Sequence, residues 1–322
     1  MSIEEDNMIL TENTRIEDCF NSDVMINWKN VLLDKGQIAS TELTFLQYQE
    51  KYSDFIARDV VTGLNRLIEL KEQGIKVMYE IWANEDRNAQ LFFFPGRMKG
   101  PYVVICPGGA YSCVCSMKEG FPVAAKLNEL GYSAFVLHYN VGGIGLMPKP
   151  MEDLAQALKF INKNKAKFNV DMEQYALIGF SSGGHLVGEW GTENCGARWY
   201  GMHYPQAIIL GYPASDLTLI GDRKAEQQLK VRMLGENYTE NEVLKYTVSE
   251  NVHRNYPPTY LFHCRDDSVI PFETSVRIKE KLEHVECRCK FKEIPIGGHG
   301  FGFGTGTLAE GWLNEAIEFW RK

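Results

Sequence analysis

The sequence predicts an α/β fold, with a mostly parallel central sheet, helices on both faces and an N-terminal helical arm. Three observations carry this expectation. Short, wholly apolar runs such as Tyr102–Cys106 and Tyr175–Gly179 recur along the chain, as strands buried on both faces of a parallel sheet require. Amphipathic stretches of helix length fall between them, so successive strands are joined by crossovers. Residues 1–74, by contrast, show apolar spacing of helical period.

In the arm, Phe45, Tyr48, Tyr52, Phe55 and Ile56 recur at helical spacing, and Val60, Val61, Leu64, Leu67 and Ile68 continue the stripe to Gly74, a residue suited to end a helix. Such an arm packs on the main body, caps a site or makes a dimer contact, and the sequence alone does not choose. The main α/β domain is expected over residues 75–322. Val77–Trp82 and Gln90–Phe94 read as strands joined by a polar turn, followed by strand Tyr102–Cys106 and helix Gly120–Leu130. Strand Ser133–Tyr139, helix Pro150–Asn164, strand Tyr175–Gly179 and helix Ser182–Gly191 come next. Ala207–Gly211, Thr259–Cys264 and Cys289–Ile294 complete the strands, with helices at Pro271–Leu282 and Leu308–Trp320.

Composition narrows the function classes. Apolar residues make up 44% and charged residues 24% of 322, enough for a sizeable core. The net charge of −8 argues against nucleic acid or an anionic membrane as a partner, because both reward clustered Lys and Arg. The first ten residues, MSIEEDNMIL, lack a basic segment followed by an apolar one, and no apolar run reaches the roughly 18 residues needed to span a bilayer. A cytoplasmic location is therefore expected, with the eight cysteines reduced. Cys113 and Cys115, like Cys287 and Cys289, are spaced C-x-C, short of the C-x₂₋₄-C pairs of zinc sites, so no metal is expected.

The chemical signal is Gly179-Phe180-Ser181-Ser182-Gly183, a G-x-S-x-G run between an apolar strand and a helix. A tight strand-to-helix turn presents the serine at a helix N-terminus, where backbone N–H groups favour developing negative charge. A serine hydroxyl needs a base. Among seven histidines, His299 sits in the glycine-rich loop Gly297–Gly302 beyond a strand end, where an imidazole can project into a cleft. His185, four residues after Ser181, points along its own helix and reads as a packing or hydrogen-bonding residue, and His138 and His263 read as structural. The acid that orients the base is expected in Arg265-Asp266-Asp267-Ser268, another strand-end loop, with Asp267 favoured over Asp266. Small residues in Cys106–Tyr111 leave backbone N–H groups bare, so Gly109 and Ala110, with Ser182, are the expected oxyanion donors.

These stretches together resemble a known group. CPGGAYS at 106–112, IGFSSGGHL at 178–186, LGYPASDL at 210–217, HCRDDSVIP at 263–271 and IPIGGHGFG at 294–302 are similar to α/β-hydrolase esterases of the acetyl-esterase and acetylxylan-esterase-like group, which includes feruloyl-esterase-like members. The resemblance covers roughly residues 75–322. It implies Ser181 as nucleophile, Asp267 as acid, His299 as base, and oxyanion donors around Gly109 and Ala110 with Ser182. The segment opens Cys106-Pro107 rather than His-Gly-Gly-Gly, and the first 70 or so residues have no counterpart in the pattern.

The expected function is hydrolysis of small short-chain acyl esters, acetylated sugars or xylo-oligosaccharides among them, without a cofactor. The expected partner is a small-molecule ester, and self-association is left open. Trp190, Trp199 and Tyr200 could wall a sugar or aromatic acyl group, or simply pack. Two alternatives remain: a serine peptidase of the prolyl-oligopeptidase type, disfavoured because about 74 helical residues cannot form a β-propeller, and a non-catalytic hydrolase-fold binding protein.

Overall fold

The computed structural model describes residues 8–33, 38–83, 87, 89–221 and 224–322. The first segment forms four helices: α1 (Ile16–Asn21), α2 (Lys29–Leu32), α3 (Phe45–Lys51) and α4 (Ala57–Glu72). Then come β1 (Met78–Glu80), β2 (Gln90–Phe94), β3 (Gly100–Cys106), α5 (Phe121–Glu129), β4 (Ser133–His138), α6 (Lys149–Lys163), α7 (Lys165–Phe168) and β5 (Val170–Phe180). The remainder is α8 (Ser181–Trp190), β6 (Ala207–Gly211), α9 (Lys224–Leu234), α10 (Glu240–Lys245), β7 (Thr259–Cys264), α11 (Glu273–His284), β8 (Cys289–Ile294) and α12 (Trp312–Trp320).

The eight strands form one sheet in the order β1-β2-β4-β3-β5-β6-β7-β8. β2 pairs antiparallel with both β1 and β4, and every pairing from β4 onward through β3 to β8 is parallel. This is the α/β-hydrolase architecture that the sequence predicts. Alternation along each strand divides the core into two layers. Val103 and Ile105 face one layer with α5, α12 and the N-terminal helices, while Tyr102, Val104 and Cys106 face the other with α6, α8 and α11. Among the described residues, no helix is long and apolar enough to cross a membrane.

The helical stripe of residues 45–72 is broken, contrary to the single run its spacing suggests. Thr44 and Gln47 form a capping box that starts α3, and Tyr52 ends it in an extended conformation. The chain then folds back, stacking Tyr48 on Tyr52 at 4.4 Å and on Phe55 at 4.7 Å between ring centroids. Aromatic packing thus replaces the helix between residues 52 and 56. α4 begins afresh at Ala57 and ends before Gly74, whose φ of 75° suits a glycine. It buries Val60, Leu64, Leu67 and Ile68 against the body. Each fully buried side chain of this kind contributes about 1.5–3 kcal/mol. The contact is close because Gly63 lacks a Cβ, which would lie 2.7 Å from the Pro122 nitrogen at the start of α5.

Candidate active site

Ser181 stands at the β5–α8 junction with φ of 51°, a left-handed conformation that a non-glycine residue adopts only at a cost. The motif's glycines are sterically required. A Cβ at Gly183 would run into the carbonyl oxygens of Cys106 and Pro107, and one at Gly179 into the carbonyl of Gly183. The strand-to-helix turn is therefore held by backbone packed against backbone, and it presents Ser181 with little freedom to move.

His299 reaches Ser181 from a loop 118 residues further along, its Nε2 lying 2.9 Å from Ser181 Oγ. Its Nδ1 lies 2.7 Å from Asp267 Oδ2. The Asp267 side chain is buried and accepts four hydrogen bonds. Val269 and Ile270 N–H meet Oδ1 at 2.8 and 2.9 Å, while His299 and His263 meet Oδ2. Burial opposes its ionisation, but the bonds from His263 and His299, the charge of His299 and the Ile270 N–H outweigh burial and hold the carboxyl well below the usual carboxylate range. An ionised carboxylate only accepts, so His299 Nδ1 carries the proton and Nε2 offers its lone pair to the Ser181 hydroxyl.

The neighbouring carboxylate has a different task. Asp266 Oδ1 accepts the N–H groups of Gly297 and Gly298 at 3.0 and 2.9 Å, anchoring the loop that carries His299. His263, which the sequence suggests is structural, lies inside β7 with Nε2 2.9 Å from Asp267 Oδ2 and Nδ1 2.8 Å from Ser275 Oγ. Its spacing of four residues from Asp267 spans the strand end, and it is the one trace of this contact in the sequence.

The segment Gly109–Tyr111 runs through positive φ values of 130°, 52° and 55°, so its backbone turns sharply. Gly108 backs onto it so closely that a Cβ there would lie 2.7 Å from Ser181 Cβ. Among the described residues, no protein acceptor takes the N–H groups of Gly109, Ala110 or Ser182. Behind the segment, buried Glu119 accepts the Gly108 N–H at 2.6 Å and the Tyr212 O–H at 2.8 Å. Sequence reasoning misses Glu119 and Tyr212, because their contact spans 93 residues and follows no periodicity.

His185 stays apart from Ser181. Its Nε2 lies 2.8 Å from the Tyr246 carbonyl, so that nitrogen donates, and Nδ1 accepts from Tyr111 O–H at 2.8 Å. Burial holds its pKa down at about 4, so it is a neutral brace for Tyr111. Trp190 lies at the far end of α8, fully buried and stacked on Tyr200 at 5.6 Å, which makes both packing residues, while Trp199 is exposed. A groove of about 1220 Å³ beneath the N-terminal helices borders none of Ser181, Asp267 and His299.

Glu189, the penultimate residue of α8, is fully buried. Its Oε2 accepts the Cys195 S–H at 2.9 Å, and Oε1 has no hydrogen-bond partner. Burial pushes this carboxyl from 4.5 up to about 8. The folded chain thus keeps a proton that the unfolded chain releases near 4.5. The resulting stability is complete below that value and is lost as pH rises through about 8. Glu189→Gln, unable to ionise, should cancel a loss on the order of a few kcal/mol. Its melting temperature should fall less than that of wild type between pH 5 and 8.5, and parallel curves would refute the assignment.

A sequence profile of the BD-FAE family matches residues 93–282. Endo-1,4-beta-xylanase B of Butyrivibrio fibrisolvens is 28% identical over 224 residues, 67% of this chain and 34% of that protein. Acetylxylan esterase of Xylanibacter ruminicola is 26% identical over 267 residues, 81% of this chain and 54% of that protein. The chain thus spans between a third and little more than half of these two relatives. The acetyl ester-xyloside bifunctional hydrolase from Caldicellulosiruptor lactoaceticus superposes with a TM-score of 0.65 at 27% identity, covering 76% of this chain and 95% of that one. With the profile extending from β2 into α11 across the nucleophile turn, the chain belongs to the BD-FAE family.

Proposed function

We propose that this protein is a serine carboxylesterase that hydrolyses short acyl esters, acetylated sugars and xylo-oligosaccharides foremost, through an acyl-enzyme. The observation that carries the reading is the unbroken hydrogen-bond relay from Ser181 through His299 to Asp267. The relatives named for acetylxylan and acetyl-xyloside ester hydrolysis support the substrate class.

In this mechanism Ser181 Oγ attacks the ester carbonyl carbon as His299 Nε2 takes its proton. The carbonyl oxygen becomes an anion facing the N–H groups of Gly109, Ala110 and Ser182, in a position where removing one donor costs about 10²–10³ in rate. The intermediate collapses, the C–O bond to the alcohol breaks, and the imidazolium returns its proton to the leaving oxygen. Water then attacks the acyl-enzyme with His299 again as base, freeing the acid and regenerating the serine. Asp267 remains ionised throughout and stabilises the imidazolium.

Rates on p-nitrophenyl esters from acetate to decanoate, alongside acetylated xylo-oligosaccharides and feruloyl esters, test the reading. kcat/KM should peak at two to four carbons and be measurable on acetylated xylo-oligosaccharides. A maximum at eight or more carbons would contradict the short-chain assignment, and absence of ester turnover across the panel would end the esterase reading.

A further inference from the structure

We propose that Glu119 is a positioning residue for ester cleavage, tying the oxyanion segment to the histidine loop so that both hold their places as charge develops. This rests on the esterase reading above and goes beyond it, because Glu119 touches neither the serine nor the imidazole.

Glu119 lies in a single π-helical turn, Ser116–Gly120, between the oxyanion segment and α5, and is 3% exposed. Its two oxygens face two different loops. Oε2 accepts the Gly108 N–H and Oε1 the Tyr212 O–H. The Tyr212 oxygen then accepts the Gly302 N–H at 2.9 Å, three residues after the base. Three hydrogen bonds thus run from the loop after β3 to the loop after β8, by way of the loop after β6. Tyr212 also meets His299 ring to ring, edge-on, with centroids 4.8 Å apart at 63°.

The chemistry of the link calls for a carboxylate. Both partners of Glu119 donate, and only an ionised carboxyl accepts on both oxygens. Because the Tyr212 proton is committed to Glu119, the tyrosine oxygen keeps a lone pair for Gly302. A glutamine amide would place an N–H₂ against one of these donors, breaking the link without changing side-chain volume. The backbone leaves little room for another arrangement. Tyr212 holds φ of 36°, and a Cβ at Gly302 would strike the carbonyl of Lys118, the residue before Glu119.

Burial raises the Glu119 carboxyl on balance, against the pull of Lys118, the Gly108 and Tyr212 hydrogen bonds and the charge of His299.

The test compares kcat and KM on p-nitrophenyl acetate for wild type, Glu119→Gln and Tyr212→Phe, with melting curves to establish folding. Glu119→Gln should lose roughly 10- to 100-fold in kcat with KM within about threefold. Tyr212→Phe keeps the ring against His299, so kcat should fall about tenfold with KM little changed. A folded Glu119→Gln with kcat within about twofold of wild type overturns the proposal. If Glu119→Gln fails to fold, Tyr212→Phe decides, and unchanged kcat overturns it. An active wild type with indifferent variants sinks this link alone, whereas a wild type inert toward esters sinks the esterase reading and the link with it.

Discussion

Replacing Ser181 by alanine is expected to lower kcat on p-nitrophenyl acetate by at least ~10⁴-fold and to abolish covalent labelling by a fluorophosphonate probe. The loss is large because the proposed route forms the acyl bond on Oγ, the hydroxyl that lies 2.9 Å from His299 Nε2. Stability should move the other way for a different substitution. Ser181 holds φ of 51° at a cost that alanine would keep and glycine would relieve. Ser181→Gly should therefore be as inactive as Ser181→Ala yet melt higher, by about 1 kcal/mol in stability. An alanine variant retaining more than about 1% of wild-type kcat would exclude the acyl-enzyme route through this serine.

Asp267→Asn carries the second-largest expected effect, a fall in kcat of about 10³–10⁴-fold with KM little changed. The reason lies in the four donors around the carboxylate. An amide presents one oxygen and one nitrogen that itself donates. The Val269 and Ile270 N–H groups cannot change their protonation, so the amide oxygen turns to them and the nitrogen faces His263 and His299. His299 is then driven to carry its proton on Nε2, the atom that has to accept from Ser181. The same substitution leaves buried donors imperfectly matched and should cost about 1–3 kcal/mol in stability. Retention of kcat within about tenfold would show that the tautomer of His299 is set elsewhere.

The central strands were legible in the sequence because they are buried on both faces. Tyr102–Cys106 and Ala207–Gly211 are continuous apolar or small-residue runs, Thr259–Cys264 is one broken by His263, and the last two match the observed strands residue for residue. The residues singled out for chemistry were legible because each sits at a strand end among glycines or acids, and Ser181, Asp267 and His299 do meet in space. Less visible were α9 and α10, whose sequences are rich in Lys, Glu and Gln and carry little apolar period. The break between α3 and α4 was hidden because Tyr52 and Phe55 keep helical spacing while serving an aromatic stack instead. Glu119, Tyr212 and His263 escaped for a common reason. Each acts through a partner brought near only by the finished topology, and a lone polar residue in an apolar run looks alike whether it braces a loop or merely fills space.

The histidine's place in the chain has a consequence for how such a molecule wears out. His299 leaves from β8, the outermost strand, which hydrogen-bonds to β7 alone and turns Lys290 and Lys292 outward toward Glu315. A rim strand opens more readily than the middle of a sheet. The serine, by contrast, is fixed at the centre, between β3 and β6. On warming, the proton acceptor would drift away while the hydroxyl stays put, so turnover ends with a small peeling at one margin and the greater part of the protein still intact.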